Sequence, residues 1–273
     1  MLTVAGGVPV WTSVNSTWPQ GTIYGLTLSQ ASPTTVGITI GGCANEYGGT
    51  GYNIVLGSAI TKGLGGWTTG SGNGGLDTGS VAANAWYHVH LIRKDSDGSI
   101  DALLSLSATT PTVPAGYTAR RRLGSIRTNA SSQITSFIQR GDEFIWSVPI
   151  LDRNSNSASD VSLLTLSVPS GIQVKARLLG FTLASTGNSV SMAILSPDIP
   201  SQTPTDLGSA STGVAPMPNI ASAYNGGAWS SGSAEVDVWT STSSQVNVCV
   251  RSSGTAGVIA IQTNGWIDTR GKL

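Results

Sequence analysis

The stretch that decides the fold reads Trp86-Tyr87-His88-Val89-His90-Leu91-Ile92-Arg93, then Lys94-Asp95-Ser96-Asp97-Gly98-Ser99, then Ile100-Asp101-Ala102-Leu103-Leu104-Ser105-Leu106. The first run is aromatic and β-branched, as strands favour. The polar cluster holds an Asp-Gly pair, a strong hairpin signal. In the third run Ile100, Ala102, Leu104 and Leu106 share one parity, the pattern of a half-buried strand. Thr110 to Tyr117, with Pro111, Pro114 and Gly116, reads as a stiff corner. Leu123 to Thr128, Gln133 to Gln139 and Glu143 to Val148 are further strand-like runs, the last two split by Gly141-Asp142. Together they predict a five-strand antiparallel meander ending near Trp146.

Outward from this stretch the pattern persists. Residues 1–20 hold Trp11 and Trp18 among Gly, Val and Thr, too short to fold alone: an edge strand or a docking arm. Thr22–Leu28 and Thr34–Ile40 alternate cleanly and predict a strand pair linked by Ser29–Pro33; Asn53–Leu56 is a further short strand. Gly63–Gly79 is a glycine-rich loop without the Gly-Lys-Ser/Thr and helix that a phosphate cradle requires. Pro149–Ser159 reads as a polar linker. Beyond it, Ile172–Ala184 changes apolar phase at Leu178-Leu179, which predicts a bulge or a strand passing between sheets. Pro197–Gly232 is too long for a plain connection. Val161–Val168, Val190–Ile194, Val236–Val238, Val246–Val250, Val258–Thr263 and Trp266–Thr269 complete a sandwich of about seven strands. No helical periodicity occurs. The chain is therefore expected to be all-β: an arm over 1–20, a meander or barrel-like domain over 21–150, and a jelly-roll or immunoglobulin-like β-sandwich over 151–273.

Composition narrows the functional classes. Charged residues make up 10%, with Lys+Arg and Asp+Glu balanced at 14 each; typical soluble domains carry roughly 25% charge. A free monomer with so few charges tends to associate, whereas a subunit walled in by neighbours needs fewer. Zero net charge speaks against a nucleic-acid binder, which needs a cation excess. No run reaches the 18 or so apolar residues of a membrane helix, and the first residues lack a secretory-signal pattern. Cys43 and Cys249 fit no disulfide framework and read as two thiols, with a bridge between the halves left open.

The run Trp86-Tyr87-His88, the Asp-Gly hairpin, Pro114-Ala115-Gly116-Tyr117-Thr118, Arg121-Arg122-Leu123-Gly124-Ser125 and Gly141-Asp142-Glu143-Phe144-Ile145-Trp146 resemble a module of tailed-bacteriophage and prophage virion proteins of the tail-fibre or minor tail type. The resemblance covers about residues 67–146, under a third of the chain. It implies a structural or adhesion role in a virion assembled in the host cytoplasm, and it transfers no active site. Because such fibres are commonly homotrimers, it also implies a homo-oligomer, trimer first, contacting other virion proteins and a host surface glycan. A capsid decoration or collar protein, or a lectin-like receptor-binding tip, are the alternatives.

The candidate chemistry is sparse. His88 and His90 share one strand face and could chelate a metal with Asp101, but read as an outer strand face. Asp95, Asp97 and Asp101 resemble a fragment of a calcium loop, though hairpin chemistry explains them. Glu143, Asp142 and Asp152 would have to converge to form a glycosidase pair. Arg120, Arg121, Arg122 and Arg127 read as a solvated, charge-protected edge. No catalytic residue, cofactor or metal is expected. The candidate binding residues are aromatics in loops or on polar strand faces: Trp67, Tyr224, Trp229 and Trp239, suited to sugar stacking, an oligomer contact or core capping.

Overall fold

The computed structural model describes residues 2–5, 8–11, 18–46, 53–184, 189–199, 221–224, 230–253 and 257–272. Among these the regular elements are strands, and no helix occurs. In chain order they are Leu2–Ala5 (β1), Val8–Trp11 (β2), Ile23–Gly25 (β3), Leu28–Ser32 (β4), Thr35–Ile38 (β5), Gly41–Ala44 (β6) and Asn53–Leu56 (β7). Ile60–Gly66 (β8), Gly74–Leu76 (β9), Trp86–Lys94 (β10), Ile100–Ser105 (β11), Tyr117–Arg127 (β12), Phe137–Arg140 (β13) and Glu143–Asn156 (β14) follow. The last are Asp160–Thr165 (β15), Lys175–Ala184 (β16), Ser189–Leu195 (β17), Ala221–Tyr224 (β18), Ser230–Trp239 (β19), Gln245–Ser252 (β20) and Val258–Ile267 (β21).

The seven-stranded sheet runs β12-β10-β11-β9-β8-β5-β4. The Asp-Gly hairpin forms as read: Gly98 takes φ +73°, and its N–H donates to Lys94 O at 3.0 Å while Ser99 O accepts from Lys94 N at 2.9 Å. The five-strand meander does not form. β12 returns to the far edge of β10 instead of pairing with β11, and β13 and β14 belong to another sheet. The reason is the corner at 106–116. It is long enough to cross the sheet face, where Val113 packs on Ile92, Leu103 and Tyr117. That crossing also buries both faces of β11, so Asp101, Leu103 and Ser105 are as enclosed as Ala102 and Leu104, while Leu106 is exposed. The three-residue β9 runs parallel to β8 and β11; thus part of the stretch 63–79, expected to be loop, is strand. The pair expected at 22–28 and 34–40 is also rearranged. Leu26, at φ +52°, separates β3 from β4, and the hairpin is β4–β5, with Leu28 opposite Ile38.

The C-terminal sandwich packs a five-stranded sheet, β13-β14-β21-β16-β19, on a four-stranded one, β15-β20-β17-β18. Its inner residues include Ala176, Leu178, Ile259 and Ile261 from one sheet and Val190, Met192, Val246, Val248 and Val250 from the other. The stretch 149–159, read as a linker, is largely strand: β14 continues to Asn156 and pairs with β21 down to Val258. The apolar phase change at Leu178-Leu179 does not move the strand between sheets. Ala176, Leu178, Thr182 and Ala184 stay buried on one parity. The irregularity sits on the partner: Arg177 faces Gly265 and Leu178 faces Thr263, leaving Asn264 as the extra residue.

One apolar cluster extends from Leu26 to Trp266 through both halves. Its centre is aromatic. Phe144 stacks on Trp266 with centroids 5.1 Å apart, and Trp86 meets Trp266 edge-on at 5.4 Å. Trp86 thereby ties the seven-stranded sheet to the sandwich. Room for Phe144 comes from Gly124, at a register shift between β10 and β12. A Cβ at Gly124 would lie 2.6 Å from Phe144 Cζ.

Candidate functional site

The second face of the seven-stranded sheet is polar and buried. Lys62 on β8 and Asp101 on β11 form an ion pair at 3.2 Å, both side chains enclosed. Lys62 Nζ also donates to Thr68 O at 2.7 Å and Gly70 O at 3.1 Å. Asp101 accepts from Gly70 N at 2.9 Å and from Ala102 N at 2.7 Å. Burial lowers the Lys62 pKa, and the Asp101 carboxylate works against that shift. A buried ion pair is tolerated only when its remaining hydrogen-bonding capacity is also met, and here the partners are backbone groups of the glycine-rich segment. The pair therefore staples residues 67–70 to the sheet.

That staple positions Trp67. Its Nε1 donates to Ala102 O at 3.1 Å, its ring meets Tyr117 edge-on at 5.7 Å, and Lys62 Nζ lies 5.5 Å from its centroid. Its own N–H donates to Leu76 O at 2.8 Å. Trp67 borders an open groove of about 550 Å³, whose other walls include Thr68, Leu76, Asp77, Val113 and Pro114. Asp77 follows β9 and bridges the walls: its carboxylate accepts from Thr112 N at 2.8 Å and Thr78 Oγ1 at 3.3 Å. The volume falls within the roughly 300–1,000 Å³ of ordinary ligand clefts. Trp67 was legible in the sequence as an aromatic in a glycine loop. Asp77, Thr112 and Pro114 were not, since nothing local says that the 110–117 corner folds over the 74–79 turn.

The other candidate aromatics do not join it. Trp239 ends β19, on a different sheet, and is exposed. Tyr224 ends β18, and its side chain lies outside the described residues, as does the whole of Trp229.

The histidines are not on an outer face, as expected from the sequence, but sealed beneath the 106–116 crossing and the turn before β16. His88 and His90 are 1% and 0% exposed. His88 Nδ1 shares a hydrogen bond with Ser125 Oγ at 2.9 Å, and His90 Nε2 one with Ser107 O at 3.2 Å; His90 Nδ1 has no partner among the described residues. Burial, reinforced for His88 by the nearby Arg122 charge, pushes the two down to about 3 and about 4. Both imidazoles are thus neutral near pH 7. Among the described residues no group of three His, Cys, Asp or Glu side chains is arranged to hold a metal ion.

The arginine cluster is likewise not a solvated edge. Arg122 forms a bidentate pair with Asp268, at 2.6 and 2.7 Å, with both side chains buried. Burial opposes both charges, and mutual attraction outweighs it: Arg122 is raised and Asp268 lowered. Arg121, on the opposite parity, is 1% exposed and lies under Gly271, whose Cβ position would be 3.5 Å from its guanidinium carbon. Arg127 donates to Ser167 Oγ at 2.9 Å, tying β12 to the sandwich. β12 is an edge strand, but the chain end from Asp268 onward covers it, which local sequence could not reveal.

The carboxylates weighed for hydrolysis are each spent separately. Asp142 pairs with Arg270 and Lys272, Glu143 with Arg177, and Asp152 with Ser167 and Thr263. In the calcium-like stretch Asp95 accepts from Thr118 and Asp97 from Ser99, while Asp101 turns inward to Lys62. Cys43 and Cys249 are buried without a disulfide; burial pushes the Cys43 thiol up to about 12, which leaves it protonated and unreactive.

No family model, no curated protein and no solved structure matches this chain.

Proposed function

We propose that the chain is a non-enzymatic structural subunit of a bacteriophage virion, a tail-fibre or tail-appendage protein that works in assembly and host attachment as a homo-oligomer, trimer first. The observation that carries the reading is the set of exposed apolar side chains on β14 and β15, which belong to the two different sheets of the sandwich. Val148 is 77% exposed, Leu151 55%, Val161 50% and Leu163 58%. β15 is an edge of its sheet. Exposed edge strands with apolar side chains invite pairing with another chain, and only 10% of the residues carry charge to oppose it. Such a surface is stable in water when neighbouring subunits cover it.

Light scattering on the purified full chain tests this directly. A particle of about three times the 27.9 kDa chain mass is the expected result. A monodisperse monomer at high protein concentration would remove the oligomer from the proposal. Immunogold labelling of intact particles then separates tail from capsid.

A further inference from the structure

We infer that the groove beside Trp67 is a binding site for a neutral saccharide. The inference deepens the attachment role proposed above and rests on it for its biological sense, but its chemistry stands on the groove alone.

Three features of the groove point to this ligand class. First, its walls pair an apolar surface, made by Trp67, Leu76, Val113 and Pro114, with hydroxyl and carboxylate groups of Thr68, Asp77 and Thr78. A pyranose has the same division, with an apolar C–H face and a rim of hydroxyls, and an indole face is a large rigid partner for the first. Second, among the described residues that line the groove, Asp77 is the only charged one. The described lining holds no cation, and the Lys62 ammonium next to Trp67 is consumed by Asp101, Thr68 O and Gly70 O. The described lining therefore supplies nothing to neutralise a phosphate or sulfate, and it offers a carboxylate acceptor to hydroxyl donors. Third, the site is held in its shape before any ligand arrives. The Lys62–Asp101 staple, the Trp67 Nε1 bond to Ala102 O and the Tyr117 edge contact fix the indole. Thr112 N and Thr78 Oγ1 fix the carboxylate. Fixing both groups in advance lowers the ordering cost that weakens shallow sugar sites. Trp67 is assigned as the stacking platform, and Asp77 as the acceptor for ring hydroxyls.

The test uses the full-length protein on an array of neutral oligosaccharides built from hexoses and N-acetylhexosamines. Positive spots are followed by titration calorimetry with the same sugars. Binding is expected, weakened roughly tenfold or more by Trp67→Ala, the loss of one stacked aromatic, and several-fold by Asp77→Asn. Trp239→Ala should leave it unchanged. Thermal unfolding checks that the variants fold; if Trp67→Ala does not, Asp77→Asn and Trp67→Phe carry the test. Absence of any array signal from the folded protein, or binding indifferent to Trp67 and Asp77 variants alike, overturns the site. Failure here is distinguishable from failure of the virion reading. An oligomer that binds no sugar loses only the groove, and a monomer that binds sugar through Trp67 loses only the assembly.

Discussion

The two faces of the seven-stranded sheet are equally buried and differently held. On one, Tyr87, Val89, Leu91, Ala102 and Leu104 enter the common apolar cluster. On the other, His88, His90, Lys62, Asp101 and Arg122 are enclosed with scarcely more exposure. The apolar face is stabilised by non-directional burial, at about 25 cal/mol per Å². The polar face also buries Ile92, Leu103 and Tyr117, but its enclosed charges and imidazoles are tolerated only while each charge has its partner and each imidazole is neutral. Burial alone therefore says little about how a region will respond to mutation or acid.

The sharpest way to break the comparison is to remove one partner from the polar face. Asp268→Ala should cost about 3–5 kcal/mol, because it leaves the Arg122 guanidinium buried and unpaired. Replacing both, as Arg122→Met with Asp268→Leu, should recover most of that loss. On the apolar face Leu91→Ala should cost a similar amount, about 2–5 kcal/mol, with no second substitution able to restore it except one that refills the volume. Urea denaturation of the three variants measures both. Equal loss in the single and double charge variants would mean that packing, and not charge pairing, holds the polar face.

Overpacking probes the junction between sheet and sandwich. Gly124→Ala places a methyl 2.6 Å from Phe144 Cζ and should destabilise by about 1–3 kcal/mol, read by the same denaturation. A neutral outcome would mean that the aromatic cluster shifts freely.

Acid separates the faces next. The folded-state pKa values of His88 and His90 lie below the unfolded value of 6.5, at about 3 and about 4, so the unfolded chain takes up these protons first. Stability is full above pH 6.5 and falls as pH drops toward 4 and then 3. The loss at pH 5 should be about 2 kcal/mol for each histidine, and His88→Gln with His90→Gln should flatten that part of the pH profile. Asp268, whose pKa is depressed, adds its loss only at still lower pH. A stability curve unchanged from pH 7 to 5 would show that the imidazoles are not sealed.

The smallest expected effect lies outside both faces. Val148→Ser and Leu163→Ser remove side chains that are already exposed, and should change monomer stability by no more than about 0.5 kcal/mol. Their effect should appear in the mass measured by light scattering, where a shift toward monomer would mark these side chains of β14 and β15 as subunit contacts.

How much of this was legible can be argued from particular residues. Asp97-Gly98 announced its hairpin, and the alternation of Val246, Val248 and Val250 announced a core-facing strand, because turn chemistry and period-two patterning are local properties. The all-β class followed from many such signals at once. Trp67 was likewise visible as an aromatic in a glycine loop. Local pattern could not say that β12 returns to β10 and not β11, that the chain end brings Asp268 to Arg122, or that Lys62 reaches Asp101 from another strand. Each depends on pairing between segments far apart in the chain. A histidine or arginine on a polar parity reads as solvent-facing until the element that covers it is known. The sequence by itself determined the all-β class and the sharpest turn, at Asp97-Gly98; only the tertiary structure decided which strands meet and which polar face is sealed, because burial is set by neighbours that the local pattern does not name.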